Sequence, residues 1–172
     1  MKRSELNPMP EYFDRYINLC DDVELLKAID ISIDEIERFP INTWTQLGDK
    51  VYAPGKWTVK DILQHLIDTE RIFMYRALAF SRNEKTKLPS YEEDEYAKNA
   101  DANHRTLQEL IEDLRSVHLA FRNMYQSFTP EMLARSGESF KGTYSVASIG
   151  FCMAGHQRWH LNVLKEKYES LV

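Results

Sequence analysis

Cysteine is scarce in this chain: there are two, Cys20 and Cys152, among 172 residues, in no spacing that makes a disulfide scaffold or a zinc ribbon. A reducing, cytoplasmic setting is the expectation, with Cys152 reading as a small buried hydrophobe in an apolar stretch. Long hydrophobic runs are lacking too. No segment approaches the roughly 18–20 continuous apolar residues that cross a bilayer. The start, Met1-Lys2-Arg3-Ser4-Glu5-Leu6-Asn7-Pro8, has two basic residues but no apolar run behind them, unlike a signal peptide. No membrane partner is expected. Positive charge is in deficit, 22 Lys and Arg against 27 Asp and Glu, for a formal net charge of -5. A nucleic-acid partner is therefore not expected, because phosphate binding normally asks for a basic face. Missing as well are a Gly-rich phosphate loop, a His-Glu-x-x-His zincin motif and the paired Glu-x-x-His of di-iron bundles.

What is present is ordinary globular material, 43% hydrophobic and 28% charged, of a length that suits one domain spanning 1–172. Residues 1–20 read as an N-terminal extension and about 22–170 as the body. Six glycines and six prolines punctuate four long stretches of helical periodicity. The first runs from about Asp22 to Phe39, with Val23, Leu26, Ile29, Ile33 and Ile36 on one face, and Pro40 stops it. An irregular connector with Gly48, Pro54 and Gly55 follows. Thr58 and Asp61 form a capping box for a second helix, to about Phe80. The acidic run Glu92-Glu93-Asp94-Glu95 reads as a solvated turn or a short extra helix. A third helix is expected over about Asn103–Phe128. Thr129-Pro130-Glu131 starts a short one that Gly137 ends, and a fourth long helix spans about Ser145–Ser170. No stretch has convincing strand alternation. The fold class is all-α, a four-helix bundle with a long connector between helices one and two.

Five histidines deserve separate reading. His156 and His160, four residues apart in Gly155-His156-Gln157-Arg158-Trp159-His160, share one helix face. That face also carries Ile149, Met153, Val163 and Leu164, so the pair interrupts an apolar stripe. Two desolvated imidazoles need partners, and one divalent ion satisfies both. His65, among Ile62, Thr69 and Ile72, is inward or at a boundary, and Asp61 or Asp68 could accept its second N–H. His65, His156 and His160 are the candidate metal ligands. His104, beside Asp101 and Asn103, reads as exposed, and His118 as surface or boundary. Trp57, Trp159, Tyr75, Phe73 and Phe151 read as core rather than as substrate contacts.

Two motifs then carry a resemblance. Pro54-Gly55-Lys56-Trp57-Thr58-Val59-Lys60-Asp61-Ile62-Leu63-Gln64-His65-Leu66-Ile67-Asp68-Thr69-Glu70-Arg71 resembles the second-helix motif of the DinB-like (YfiT-like) metal-binding bundles. Ala154-Gly155-His156-Gln157-Arg158-Trp159-His160-Leu161-Asn162 is similar to their fourth-helix motif. The similarity runs from about Asp22 onward. It implies an up-down-down-up bundle, a metal held by His65, His156 and His160, and water completing the shell. Relatives commonly carry a histidine where this chain has Trp159, a change read as tuning of the pocket wall. Characterised relatives include thiol-dependent S-transferases and a mycothiol-dependent isomerase, and dimers occur among them, which makes a homodimer an expectation here.

Three imidazoles leave a tetrahedral ion one open position. The first functional expectation is an enzyme using one divalent transition metal, zinc or nickel, as a Lewis acid. Its reaction would be thiol S-transferase or hydrolase-type chemistry on a small molecule, with a low-molecular-weight thiol as the partner the resemblance suggests. Asp68, three residues from His65, is the candidate catalytic residue for proton handling. Glu70 is expected instead to rotate away into a surface salt bridge with Arg71 or another cation. The alternatives are a non-catalytic metal- or ligand-binding stress-response module, and a structural homodimer with the histidines packed in a polar core.

Overall fold

The computed structural model describes residues 1–139 and 142–172. Among them the elements run α1 (Asp14–Ile17), α2 (Leu25–Ile36), α3 (Ile41–Leu47), α4 (Val59–Ser81), α5 (Glu93–Ala100), α6 (Leu107–Gln126), α7 (Pro130–Ala134), β1 (Ser136–Ser139), β2 (Gly142–Ser145) and α8 (Val146–Lys167). The four long helices are α2, α4, α6 and α8. No helix among the described residues is long and apolar enough to cross a membrane.

Side-chain pairs give the helix directions. Asp30 meets Arg122 at 2.9 Å and Glu37 meets Arg115, so α2 and α6 run opposite ways. Leu25 lies beside Gly150, and Gln157 Nε2 donates to the Ser32 carbonyl at 2.8 Å, so α2 and α8 run together. Thr58 reaches Asn103 at 2.9 Å and Arg71 reaches Asp113 at 2.6 Å, so α4 and α6 also run together. Tyr168 donates to the Trp57 carbonyl while the Phe80 and Tyr144 rings lie 5.7 Å apart, which sets α4 against α8. The order is up-down-down-up, as the resemblance implied.

Helix starts follow the sequence where a cap is written into it. Thr58 accepts from the Asp61 amide, and the Asp61 carboxylate accepts from the Thr58 amide at 2.9 Å. The third long helix begins later than expected, because a second capping box, Thr106 with Glu109, sets the start at Leu107. Asn103 is left to hydrogen-bond Thr58 and Asp61, tying the two helix starts together. The connector after Pro40 holds a helix that the sequence reading missed, α3, whose Trp44 and Leu47 are buried. The acidic run forms the start of α5.

Two expectations are corrected. A strand pair exists: β1 and β2 form an antiparallel hairpin in which Gly137 faces Tyr144. Its strands, Ser-Gly-Glu-Ser and Gly-Thr-Tyr-Ser, carry one large apolar side chain between them, too little for an alternation signal. Gly137 therefore does not end a helix, since α7 stops at Ala134. A Cβ on Gly137 would lie 2.1 Å from the Phe80 ring, and its absence lets the hairpin close over α4. The N-terminal segment packs onto the bundle. Phe13, Ile17 and Cys20 are buried in the same cluster as Phe80, Phe121 and Phe151.

The apolar interior falls into two clusters. On α4, Leu63, Leu66 and Ile67 belong to one, and Phe73, Ala77 and Phe80 to the other. On α6, Leu110, Leu114 and Val117 belong to the first, and Phe121 and Tyr125 to the second. On α8 the change comes between Ala154 and Leu164. At each crossing stands buried polar material: His65, Thr69 and Glu70 on α4, His118 on α6, His156 and Gln157 on α8. The bundle thus has a polar waist, and the candidate ligands belong to it.

Candidate metal centre

Three imidazoles meet at that waist. His65 and His156 are each 6% exposed, and His160 is partly buried. His65 Nε2 lies 3.3 Å from His156 Nε2, which lies 3.0 Å from His160 Nε2. One ligand nitrogen from each falls within 4.8 Å of the others. An ion with tetrahedral bonds of 2.0–2.1 Å separates its ligands by about 3.3 Å, so the observed spacings fit a shared ion with little adjustment. His156 Nε2 faces two other nitrogens and has at most one proton to give, so hydrogen bonding alone leaves this contact under-served.

Electrostatics point the same way. Burial pushes the His65 pKa down to about 3, helped by the nearby His160. Burial brings His160 down to about 4 and, together with His160 and His65, drives His156 well below the ordinary imidazole range. At neutral pH all three are uncharged, with lone pairs ready for an electrophile. Their folded values lie below the unfolded value of about 6.5, so below that pH the unfolded chain takes up protons that the folded one refuses. The metal-free fold is therefore expected to keep full stability from these groups above pH 6.5 and to lose it as pH falls toward 4. Each imidazole adds a slope of up to about 1.4 kcal/mol per pH unit. Urea midpoints of metal-free protein should drop between pH 6.5 and pH 5; unchanged midpoints would contradict neutral, buried imidazoles.

Surrounding side chains orient the rings. Thr69 Oγ1 lies 3.4 Å from His65 Nδ1 and 2.7 Å from the Tyr91 hydroxyl. Burial pushes the Tyr91 pKa up to about 12, so the phenol keeps its proton and the Thr69–Tyr91 pair stays neutral. The outer partner of His65 is thus a hydroxyl relay, not Asp61 or Asp68. Asp61 caps α4, and Asp68 accepts from Gln64 at 2.9 Å and lies 3.6 Å from Arg71. Through Arg71 and Gln64 it joins a polar network reaching Arg105 and Asp113. Burial raises the Asp68 pKa. Tyr16 packs edge-on against His156 at 5.0 Å between centroids, and Trp57 tilts over His65 at 4.7 Å.

His65 and His156 open on a cavity of about 500 Å³ whose wall includes Thr69, Phe73, Arg76 and Tyr91. Glu92, Asp94 and Glu95, at the start of α5, stand at its exposed rim. The aromatic expectations divide accordingly. Phe73 lines the cavity, Phe151 is core, Tyr75 is 58% exposed, and Trp159 is exposed with its ring edge-on to Tyr16. The sequence reading missed Tyr16, Thr69 and Tyr91 as site residues. Thr69, one turn after His65, had a signal in its spacing; Tyr16 and Tyr91 come from distant segments and had none.

His118 and Glu70 lie in the interior and not at the surface. His118 is 3% and Glu70 4% exposed, and His118 Nδ1 lies 2.5 Å from Glu70 Oε2. Burial alone would lower the His118 pKa, but the Glu70 carboxylate outweighs it and the net shift is upward. His104 is exposed beside Asp101, as expected.

The family profile described as the DinB superfamily matches residues 11–164. The chain belongs to the DinB superfamily. The match begins well before Asp22, which agrees with the packing of Phe13 and Ile17 into the core. A "Putative metal-dependent hydrolase" of Oceanobacillus iheyensis is 25% identical over 118 residues, 67% of this chain and 67% of that protein. Another protein with that description, from Geobacillus thermodenitrificans, is 28% identical over 78 residues, which span 45% of this chain and 44% of that one. Among solved structures, YfiT from Bacillus subtilis matches with a TM-score of 0.71 at 16% identity, covering 99% of this chain and 93% of YfiT. It is described as "a probable metal-dependent hydrolase with an unusual four-helix bundle topology", and the likeness establishes the fold.

Proposed function

We propose that this DinB-superfamily protein holds one divalent transition metal, zinc or nickel, through His65, His156 and His160, and hydrolyses a small molecule admitted by the adjoining cavity. The observation that carries the reading is the meeting of three neutral imidazoles from two helices beside that cavity. The descriptions of the two curated relatives as metal-dependent hydrolases support it. An ion held by three imidazoles supplies Lewis acidity, enough to make water a nucleophile at neutral pH.

The chain's own residues do the rest. Thr69 fixes the His65 ring so that Nε2, and not Nδ1, faces the other two. Tyr16 and Trp57 wall the imidazoles with aromatic edges and faces, which keeps bulk water from crowding them. Phe13, Phe73 and Met153 give the cavity an apolar wall that faces polar groups such as Thr69, Arg76 and Tyr91, which can fix the orientation of a small ligand. Asp68 enters through its network between α4 and α6, which holds His65 and its helix in register.

The test uses untagged full-length protein. Elemental analysis should find close to one ion per chain, and a panel of ester and amide substrates should include one hydrolysed in a chelator-sensitive manner. Turnover that instead requires an added small thiol and an electrophile would replace hydrolysis by thiol transfer. Bound metal with no turnover on either panel would leave a binding module.

A further inference from the structure

Arg76 is the most buried arginine among the described residues, at 5% exposure, and it lines the same cavity as His65 and His156. Several better-hydrated arginines of the bundle have carboxylates, among them Arg158 with Glu35 and Asp21, Arg71 with Asp113, and Arg122 with Asp30. Arg76 has no ion pair among the described residues. Its Nη2 donates to the Pro89 carbonyl at 2.9 Å, the Tyr144 hydroxyl is beside it, and its guanidinium lies 4.6 Å from the Phe73 ring centroid. All of these are neutral.

A guanidinium cannot shed its proton to escape burial, as a lysine or histidine can. A desolvated cation without a counter-charge is costly, and five donors in a fixed fork are poorly used by one carbonyl and one hydroxyl. Arg76 lines the cavity wall, so an anion entering the cavity would meet the donors that these partners leave. Position agrees. Eleven residues separate Arg76 from His65, three helical turns and a little more, so both lie on one face of α4, roughly 16 Å apart along its axis. The long side chain shortens the gap between guanidinium and imidazole.

We propose that Arg76 anchors a carboxylate on the ligand of this cavity, and that the ligand carries a single negative charge. The rim supplies the second half of that statement. Glu92, Asp94 and Glu95 are exposed, and their charges act over a screened range of about 8–10 Å; they repel any anion, and Arg76 offsets that cost for one negative charge but not for a second. Calling this ligand the substrate rests on the hydrolase reading; the anion site itself does not.

Metal-free full-length protein at low salt separates the two. The probes are 4-phenylbutyrate and its neutral amide, 4-phenylbutyramide, measured by calorimetry. The acid should bind at least about tenfold tighter than the amide, the worth of one charge-assisted pair of hydrogen bonds. Arg76→Gln should abolish that preference, and Arg76→Lys should retain part of it. Equal binding of acid and amide by the unmodified protein, no binding of the acid at millimolar concentration, or an undiminished preference in a folded Arg76→Gln protein would each overturn the proposal. The acid–amide comparison needs no variant, so misfolding of Arg76→Gln does not blunt the test. A preference for the acid in protein that takes up no metal would sink the metal reading and leave the anion site standing. Metal-dependent turnover with no preference for the acid would do the reverse.

Discussion

His156→Ala is expected to abolish stoichiometric metal binding while leaving the bundle folded. His156 Nε2 is the nitrogen that faces both others, at 3.3 and 3.0 Å, so its loss breaks two of the three edges of the site. Removing an outer partner of a metal ligand typically weakens binding 10–100-fold; removing a ligand itself should exceed about 100-fold. The fold should tolerate the change. In the absence of metal the three rings are desolvated with few partners, so deleting one removes a buried polar group along with its packing. Thermal melts with and without metal read the effect. A ligand at 100 times its dissociation constant stabilises by about 2.7 kcal/mol, so unmodified protein should melt visibly higher with metal and the variant should not. A variant that retains close to one ion per chain after dialysis would remove His156 from the ligand set.

The second large effect lies on the other side of the waist. His118→Ala should destabilise the protein by about 3–5 kcal/mol at neutral pH, the usual penalty for leaving one member of a buried ion pair alone. Glu70, 4% exposed, would then hold its charge in the interior without a partner. Glu70→Leu should be milder, because it removes the carboxylate itself and His118 can respond by losing its proton. The pair also has a pH signature. The folded His118 pKa is raised above its unfolded value, so its contribution is full below about pH 6.5 and is lost as pH rises through the folded value. That window lies above the one in which His65, His156 and His160 act, and the slope has the opposite sign. Urea midpoints of the unmodified protein against His118→Ala, from pH 6 upward, should converge as pH rises; a constant gap would mean that packing, not charge, explains the loss.

Much of this fold could be read from the chain because the relevant signals are local. Thr58 with Asp61, the i, i+4 step of His156 and His160, and the stripes of α4, α6 and α8 all lie within a few residues of each other. The meeting of His65, His156 and His160 was legible for the same reason, since their motifs carry type, spacing and order together. What escaped is non-local or depends on how wide a buried arc each helix has. α4 packs against both α6 and α8, so a residue rotated well away from the His65 face is still interior, and Glu70 finds His118 across the α4–α6 contact. A count of helical degrees from one face places Glu70 off that face but not in water. His118 was equally ambiguous, because Val117 and Leu119 flank it and only the neighbouring helix decides. Leu119 is 40% exposed while Val117 and His118 are buried.

The supporting residues of the site show the same limit. Asp68 has the right spacing to reach His65, yet Gln64 and Arg71 compete for it more effectively. Thr69 takes the place beside Nδ1, in turn held by Tyr91 from the segment before α5. Tyr16 reaches His156 because Gly155 lets the backbone of α1 approach α8; a Cβ there would lie 1.9 Å from the Tyr16 carbonyl oxygen. No window of sequence around the histidines contains Tyr16 or Tyr91.

X-ray absorption at the metal edge of the reconstituted full-length protein tests the shared-ion site most directly. The expected spectrum has three imidazole nitrogens at about 2.0–2.1 Å and one further light scatterer, a water oxygen, with the imidazole outer-shell pattern reduced in His160→Ala. A shell built from carboxylate oxygens or sulfur, or one unchanged by His160→Ala, would mean that the three histidines meet for some other reason.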